Sequence, residues 1–146
     1  MPSEVLGRSA EAELVGSVLG GTEPAALLLD GEAGIGKTTV LLSAIDRARE
    51  RGFTVLFARA AVTESALGYA ALADLLAGIE PAALDFLPAP QRRALDRILL
   101  RAPDDGACTD PRAVAAALLA VITRLSERTP VLVALDDAQW LDTSSV

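Results

Sequence analysis

The chain has 146 residues, and 51% of them are hydrophobic, which is enough for one compact domain with a core and excludes a disordered chain. Its 13 basic and 20 acidic residues give a formal net charge of -7, so no overall positive field attracts nucleic acid or an anionic membrane. The absence of His and the single cysteine, Cys108, exclude Ser/His/Asp triads, His-ligated metals and an internal disulfide. Any chemistry must use carboxylates, hydroxyls, backbone amides, Arg or Lys.

The N-terminal segment and the apolar runs bear on the cellular compartment. A secretory signal has a basic start followed by an apolar stretch. The N-terminal segment lacks this order, because charged residues lie at positions 4, 8, 11 and 13. The longest apolar run, residues 113–122, is about half the length that spans a bilayer and is bounded by Arg112 and Arg124. We therefore expect a cytoplasmic protein without a membrane contact.

Helical and strand-like segments alternate over the first 60 residues, which is typical of an α/β domain with a mainly parallel sheet. A first helix carries apolar residues at helical spacing up to Leu19 and ends at a glycine pair. The pattern then predicts a short buried strand over Ala25–Leu29 and a helix over Lys37–Arg51 that stops at Gly52. Residues Phe53–Ala58 form the second predicted strand.

The second half of the chain is mainly helical up to residue 128. Apolar stripes over 72–79 and 95–99 flank a connection that contains prolines. Asp110 and Pro111 form a suitable N-cap and first turn for a third apolar helix that continues to Leu125. The run Val131–Leu135 is rich in β-formers and free of polar residues, so it predicts a strand buried on both faces.

The segment 31–38 carries the strongest chemical signal, a complete G-x-x-x-x-G-K-[ST] phosphate-binding (Walker A) pattern between a predicted strand and a predicted helix. Its glycines allow successive N–H groups to point at an anion, and the following helix adds its positive N-terminal end. Lys37 reaches the outer phosphates, and Thr38 offers a hydroxyl to Mg²⁺. The candidate nucleotide-binding residues are Gly31, Glu32, Ala33, Gly34, Ile35, Gly36, Lys37, Thr38 and Thr39.

The choice of lysine in this loop is chemically informative. Lys37 is the only lysine among the 146 residues, whereas arginine occurs twelve times. A slim ammonium fits between phosphate oxygens as a point charge, which the broad guanidinium fork does not. The composition therefore supports phosphate binding at Lys37, which we also assign as a catalytic residue.

A second signal is the apolar run over 131–135 that ends in Asp136 and Asp137, as in a Walker B segment. A strand that ends at the same sheet edge as the phosphate loop places Asp136, together with Thr38, where Mg²⁺ binds. Asp137 is then the residue expected to orient or deprotonate the attacking water. An apolar strand with an acidic end is common in proteins and does not by itself indicate a Walker B segment. The phosphate loop upstream is what favours that interpretation here.

Three segments together resemble the ATPase domain of STAND-type signalling ATPases of the AAA class, especially the large ATP-binding LuxR-family transcriptional regulators. They are the Val5-Leu6-Gly7-Arg8 start, the GEAGIGKTT loop, and LDDAQWLDTSS, which meets the family pattern hhhhDD-x-[HQ]-W-x-D. The resemblance runs nearly end to end. It implies that Val5, Leu6 and Arg8 lie beside the adenine. For Trp140 we expect core packing behind the acidic strand end rather than contact with the nucleotide.

The resemblance implies a P-loop NTPase three-layer sandwich with sheet order 5-1-4-3-2. Residues 1–146 would be the N-terminal part of that domain, with strands 1–3 present and later strands following Val146. The expected function is an ATP-binding, slowly hydrolytic switch that responds to ATP and ADP with Mg²⁺. Its partners would be regulatory and DNA-binding domains further along a longer parent chain, and this segment itself would not contact nucleic acid.

Other nucleotide-binding classes fit less well. Ras-like GTPases need N-K-x-D and D-x-x-G, and the chain has no Asn, no second Lys and no D-x-x-G. ABC ATPases carry an LSGGQ-like signature that is missing here, and the helices after the second strand are long for the lid of a small-molecule kinase. Two alternatives stay open: a truncated, non-enzymatic remnant and a replication-initiator-like AAA+ ATPase.

Overall fold

The structure is a computed structural model that describes residues 9–64, 67–102 and 108–146. Two strands and five α-helices make up the regular structure of these residues: α1 (Ser9–Gly20), α2 (Lys37–Glu50), β1 (Thr54–Arg59), α3 (Ala70–Leu76), α4 (Ala89–Ile98), α5 (Pro111–Ser126) and β2 (Val131–Asp136). Short 3₁₀ turns lie at Val62–Glu64, Pro81–Leu84 and Ala138–Trp140.

The two strands pair in parallel, as the alternating pattern predicted. Their register runs from Thr54 opposite Val131 to Arg59 opposite Asp136. A parallel pair brings the carboxyl ends of both strands to one edge of the sheet, where ligands of α/β proteins bind. Arg59 and Asp136 are therefore neighbours at that edge.

Helices cover both faces of the sheet because successive strand residues point to opposite sides. On one face, Val55 and Leu132 pack against a cluster from α1 and α2 that includes Val15 and Val40. The cluster on the other face contains Leu56 and Ala58 of β1 with residues of α3, α4 and α5: Ala71, Leu72, Leu75, Ala94 and Val114. The described residues thus place helices on both faces of a two-stranded sheet, in line with the layered fold that the resemblance implied.

Helix boundaries follow local chemistry. Asp110 caps α5 by accepting a 2.9 Å hydrogen bond from the N–H of Arg112, and Pro111 occupies the first turn, as predicted. Helix α2 ends just before Gly52, whose φ of 80° is left-handed, also as predicted. Among the described residues, no helix combines the length and apolar character that crossing a bilayer requires.

The predicted strand over Ala25–Leu29 is wrong for this structure. The segment has no strand assignment, and Leu28 is 84% exposed. A strand exists through its hydrogen-bonded ladder, and the two strands found in residues 9–64, 67–102 and 108–146 pair only with each other. Residues Ala25–Leu29 therefore lead into the phosphate loop as a segment that is not paired with either strand.

The expectation that β2 is buried on both faces is also wrong. Val133 is 42% exposed and Leu135 is 38% exposed. On the side of the sheet to which they point, the apolar cluster of α3, α4 and α5 contains Leu56 and Ala58 of β1. Val131 is the β2 residue that packs against this cluster. The open side of β2 leaves the other two side chains half in solvent.

Candidate functional site

The loop between residues 30 and 37 turns sharply and leads directly into α2. Gly34 and Gly36 have φ values of 80° and 94°, a left-handed conformation that glycine adopts without strain. Gly36 immediately precedes α2, so the first amides of that helix, which have no acceptor within it, open toward the loop. This is the local geometry of an anion-binding site.

Lys37 lies across the inside of this loop. Its Nζ donates hydrogen bonds to the carbonyl oxygens of Gly31 at 2.7 Å and Glu32 at 3.0 Å. The ammonium therefore bridges two carbonyl oxygens at the start of the loop. Most of the loop faces solvent: Gly31, Glu32, Ala33, Gly34, Ile35 and Thr39 are exposed, while Gly36, Lys37 and Thr38 are half-buried.

Thr38 and Asp136 join the two predicted motifs in space. The Thr38 hydroxyl donates to Asp136 Oδ1 at 3.2 Å across 98 positions of sequence. The same Oδ1 accepts the N–H of Asp137 at 3.1 Å. The first turn of α2 thus meets the carboxyl end of β2, and a hydroxyl and a carboxylate converge on one point.

Arg59 completes the surroundings of Asp136, and the sequence reasoning did not select it. Its Nε and Nη2 lie 3.0 Å and 2.9 Å from Asp136 Oδ2. The Asp136 side chain is 8% exposed, whereas that of Arg59 is 51% exposed. A usable signal was present: Arg59 directly follows the second predicted strand, so a parallel pairing with the Asp136 strand brings it to the same edge.

Asp137 lies beside this cluster in a different environment. It is exposed, and its φ of 55° places it in the left-handed region, which Asp tolerates better than most residues. Its Oδ1 accepts a hydrogen bond from Gln139 Nε2 at 3.3 Å. The carboxylate is thus next to Asp136 in the chain and open to solvent, where water reaches it.

The segment after Asp137 is fixed at its far end by Asp142, which is 3% exposed. Its carboxylate accepts backbone hydrogen bonds from Tyr69 at 2.7 Å and Ser145 at 3.0 Å, and a Ser145 hydroxyl bond at 2.5 Å. Burial raises the pKa of Asp142, but hydrogen bonds from Ser145, Tyr69, Ala71 and Ser144 outweigh that effect, so the pKa lies below its usual value. This role was not predicted.

Trp140 corrects a further expectation. Instead of packing in the core behind the strand end, it is 43% exposed. It lines a cavity of about 10 Å³ together with Arg59, Ala71 and Asp142, at the lower limit of the room that one water needs. This cavity is too small for a nucleotide. The predicted adenine contacts Val5, Leu6 and Arg8 lie outside the described residues.

The donor set at the sheet edge suits Mg²⁺. A hydroxyl oxygen of Thr38 and a carboxylate of Asp136 are hard ligands, and Mg²⁺ in nucleotide sites takes one or two such protein ligands and completes its shell with phosphate and water. Among the residues that the structure describes, no group of three His, Cys, Asp or Glu forms an all-protein cage. The arrangement fits a metal that is held jointly with phosphates.

Comparison with known families agrees with this geometry. The family model of the AAA ATPase domain matches residues 4–146. The chain belongs to the AAA ATPase domain family. Membership supports the P-loop NTPase α/β fold and, in general terms, a nucleotide-binding ATPase function. Domains of this family generally bind ATP with Mg²⁺. Searches of curated proteins and of solved structures give no significant match.

Proposed function

We propose that this AAA ATPase domain binds MgATP between the loop at 31–39 and Asp136 and acts as a slowly hydrolysing switch in a signal-responsive transcriptional regulator. The observation that carries the proposal is the 3.2 Å hydrogen bond between Thr38 and Asp136. It unites two motifs that the sequence keeps far apart, at the sheet edge where α/β proteins bind their ligands. The resemblance of LDDAQWLD to STAND-type and LuxR-family regulators supports the regulatory role.

Each residue at this edge has a distinct role in the proposal. The amides of 31–36 and the start of α2 bind the phosphates, and Lys37 neutralises their outer oxygens. Thr38 and Asp136 hold Mg²⁺, which when bound offsets the charge that develops on the transferred phosphoryl group. Asp137 orients the attacking water and accepts its proton.

The segment 137–142 supports a switching role for this site. It directly follows Asp136, which contacts Thr38, and it ends at Asp142, which is hydrogen bonded to the N-terminal end of α3 through Tyr69. A change in the position of Asp136 or Asp137 is therefore passed along a short, doubly anchored segment to α3. We propose that regulatory and DNA-binding domains of a longer parent chain respond to this change. The 146 residues themselves are unsuited to binding nucleic acid, because their net charge is -7.

Calorimetry on the full natural chain that contains these residues tests the nucleotide site. We compare Thr38→Val with Thr123→Val, an exposed threonine on α5. Thr38→Val should abolish most of the gain in ATP affinity that Mg²⁺ confers, whereas Thr123→Val should leave it unchanged. An equal Mg²⁺ effect in both variants would contradict the proposed metal position.

The regulatory part of the proposal has its own test. The natural open reading frame should continue into a DNA-binding domain, and binding of that chain to its own promoter region should differ between ATP and ADP in a gel-shift titration. A reading frame without such a domain, or equal binding with both nucleotides, would contradict the transcriptional role.

A non-enzymatic remnant is the second candidate, and one observation favours it: residues Ala25–Leu29, which precede the phosphate loop, have no sheet partner. A loop without that support holds its amides less rigidly, and catalysis of phosphoryl transfer depends on rigid positioning. Phosphate release by the full natural chain decides between the two. A rate equal to that of Lys37→Ala indicates the remnant, and a clearly higher rate indicates the ATPase.

A further inference from the structure

We infer that Arg59 is a residue of the nucleotide site that competes with a divalent cation for Asp136, so that the cation binds well only together with phosphate. The inference rests on the proposed function and describes how cation binding at the same site is regulated. Its basis is the ion pair between Arg59 and Asp136 at the carboxyl ends of β1 and β2. Nothing in the two sequence motifs assigns a role to this arginine.

The hydrogen bonds of Asp136 explain why a competitor matters. Oδ1 accepts from the Thr38 hydroxyl and from the Asp137 N–H, and Oδ2 accepts from both Nε and Nη2 of Arg59. A carboxylate has about four lone-pair directions, so all of them are used in this arrangement. A cation that binds Asp136 must therefore displace a donor.

The three donors differ in how readily they leave. The Asp137 N–H is fixed by the chain, because it directly follows the carboxylate that it contacts. The Thr38 hydroxyl can rotate, and it is itself a ligand that a cation would use. Arg59 is the donor that can leave, since its side chain is long and 51% exposed.

Displacement of Arg59 has an electrostatic cost that depends on what else is bound. Opening the pair separates a guanidinium from a largely buried carboxylate, and the freed guanidinium then needs another anion. Because Arg59 is in register with Asp136, its backbone stays at the sheet edge beside the phosphate loop. Phosphate oxygens are suitable partners for a planar guanidinium, so nucleotide lowers the cost of cation binding.

Manganese titration of the full natural chain without nucleotide tests this directly, with free Mn²⁺ measured by electron paramagnetic resonance. Arg59→Gln is compared with Arg124→Gln, because the Arg124 side chain is also 51% exposed and also pairs with a carboxylate, that of Glu127. We expect Arg59→Gln to bind Mn²⁺ about tenfold more tightly, since a charge-assisted competitor is gone. Arg124→Gln should match the parent.

A second measurement asks whether the coupling to phosphate is lost. Addition of ATP should increase the Mn²⁺ affinity of the parent and of Arg124→Gln by a larger factor than that of Arg59→Gln. Identical Mn²⁺ affinity in Arg59→Gln and the parent without nucleotide would overturn the inference. Because that arm contains no ATP, its failure is distinguishable from failure of the proposed function, which is shown by equal ATP binding in Lys37→Ala and the parent.

Arg59→Lys covers the case in which Arg59→Gln does not fold, as judged by far-UV circular dichroism. Lysine keeps the positive charge but loses the fork that contacts Oδ2 through two nitrogens. Nucleotide-free Mn²⁺ binding should then be tighter than in the parent by about two- to threefold. Unchanged binding in this variant would also contradict a competing role for Arg59.

Discussion

The backbone N–H of Tyr69 donates a 2.7 Å hydrogen bond to the buried carboxylate of Asp142. Tyr69 has a φ of 66° and immediately precedes α3, while Asp142 follows β2 by six residues. The bond therefore holds the entry to a helix on one side of the sheet and the segment that carries Asp137 in a fixed relation. Its loss should affect both stability and the order of that segment.

We expect Asp142→Asn to lower the free energy of unfolding by about 2–3 kcal/mol, because the amide replaces one acceptor oxygen with a donor that faces other donors. Urea unfolding followed by circular dichroism measures the change. Asp74→Asn, an exposed carboxylate on α3, is the matched control and should stay within about 0.5 kcal/mol of the parent. A similar effect of the two substitutions would contradict the anchoring role of Asp142.

The same carboxylate should make stability depend on pH. The folded pKa of Asp142 lies below its value of 3.8 in the unfolded chain, so the ionised carboxylate stabilises the fold above pH 3.8. That contribution is lost as the pH falls from 3.8 through the folded pKa. The stability difference between the parent and Asp142→Asn should therefore be constant near neutral pH and shrink below pH 3.8. A difference that stays constant as the pH falls well below 3.8 would show that Asp142 is not the titrating group.

Lys37→Ala should remove most of the ATP affinity, since it deletes the only lysine in these 146 residues and the one ammonium inside the phosphate loop. Isothermal titration of the full natural chain measures the affinity, and the loss should be at least about tenfold. The matched control is Arg49→Ala, which removes an exposed cation from α2. ATP affinity that falls equally in both variants would indicate a general charge effect instead of a specific phosphate contact.

Asp136 and Asp137 should separate in function. Asp136→Ala should weaken the Mg²⁺-dependent part of ATP binding, because it removes the carboxylate that lies beside Thr38. Asp137→Asn should leave binding largely intact and slow hydrolysis by roughly a hundredfold, the range for a lost general base. ATP affinity with and without Mg²⁺, together with single-turnover hydrolysis, distinguishes the two. Parental hydrolysis in Asp137→Asn would exclude it as the base.

The 146-residue chain by itself should unfold over a broad temperature range and gain little stability from MgATP. Its sheet has two strands among the described residues, and a two-stranded sheet depends on helix packing for its stability. Calorimetry and far-UV circular dichroism measure the transition. A longer natural chain that gives Ala25–Leu29 a strand partner should melt sharply and at a higher temperature with MgATP. A sharp melt of the 146-residue chain that shifts upward with MgATP would refute this expectation.

Local chemistry made several features predictable from the sequence. Gly52 and the Asp110-Pro111 pair set helix boundaries through interactions with near neighbours, and both were predicted correctly. Residues Ala25–Leu29 have strand propensity, but a strand also needs a partner, and no property of the segment itself reveals whether one is present. Propensity alone was therefore insufficient there.

Arg59 and Asp142 show the same limit at the candidate site. Each acts through residues more than 70 positions away, Asp136 for the arginine and Tyr69 for the aspartate. Parallel register would have paired Arg59 with the end of β2, but register follows from which strands are adjacent. The Walker residues were easier to predict because most of their spacing is local. Only the contact between Thr38 and Asp136 needed the fold.

Trp140 gives the domain an internal optical reporter. It is the only tryptophan in these 146 residues, it is 43% exposed, and it lies in the segment bounded by Asp136 and Asp142. It also lines a cavity with Arg59, so a movement of that side chain alters the polarity around the indole. Its fluorescence emission therefore records, without a label, whether the segment between the two acids moves when a ligand binds.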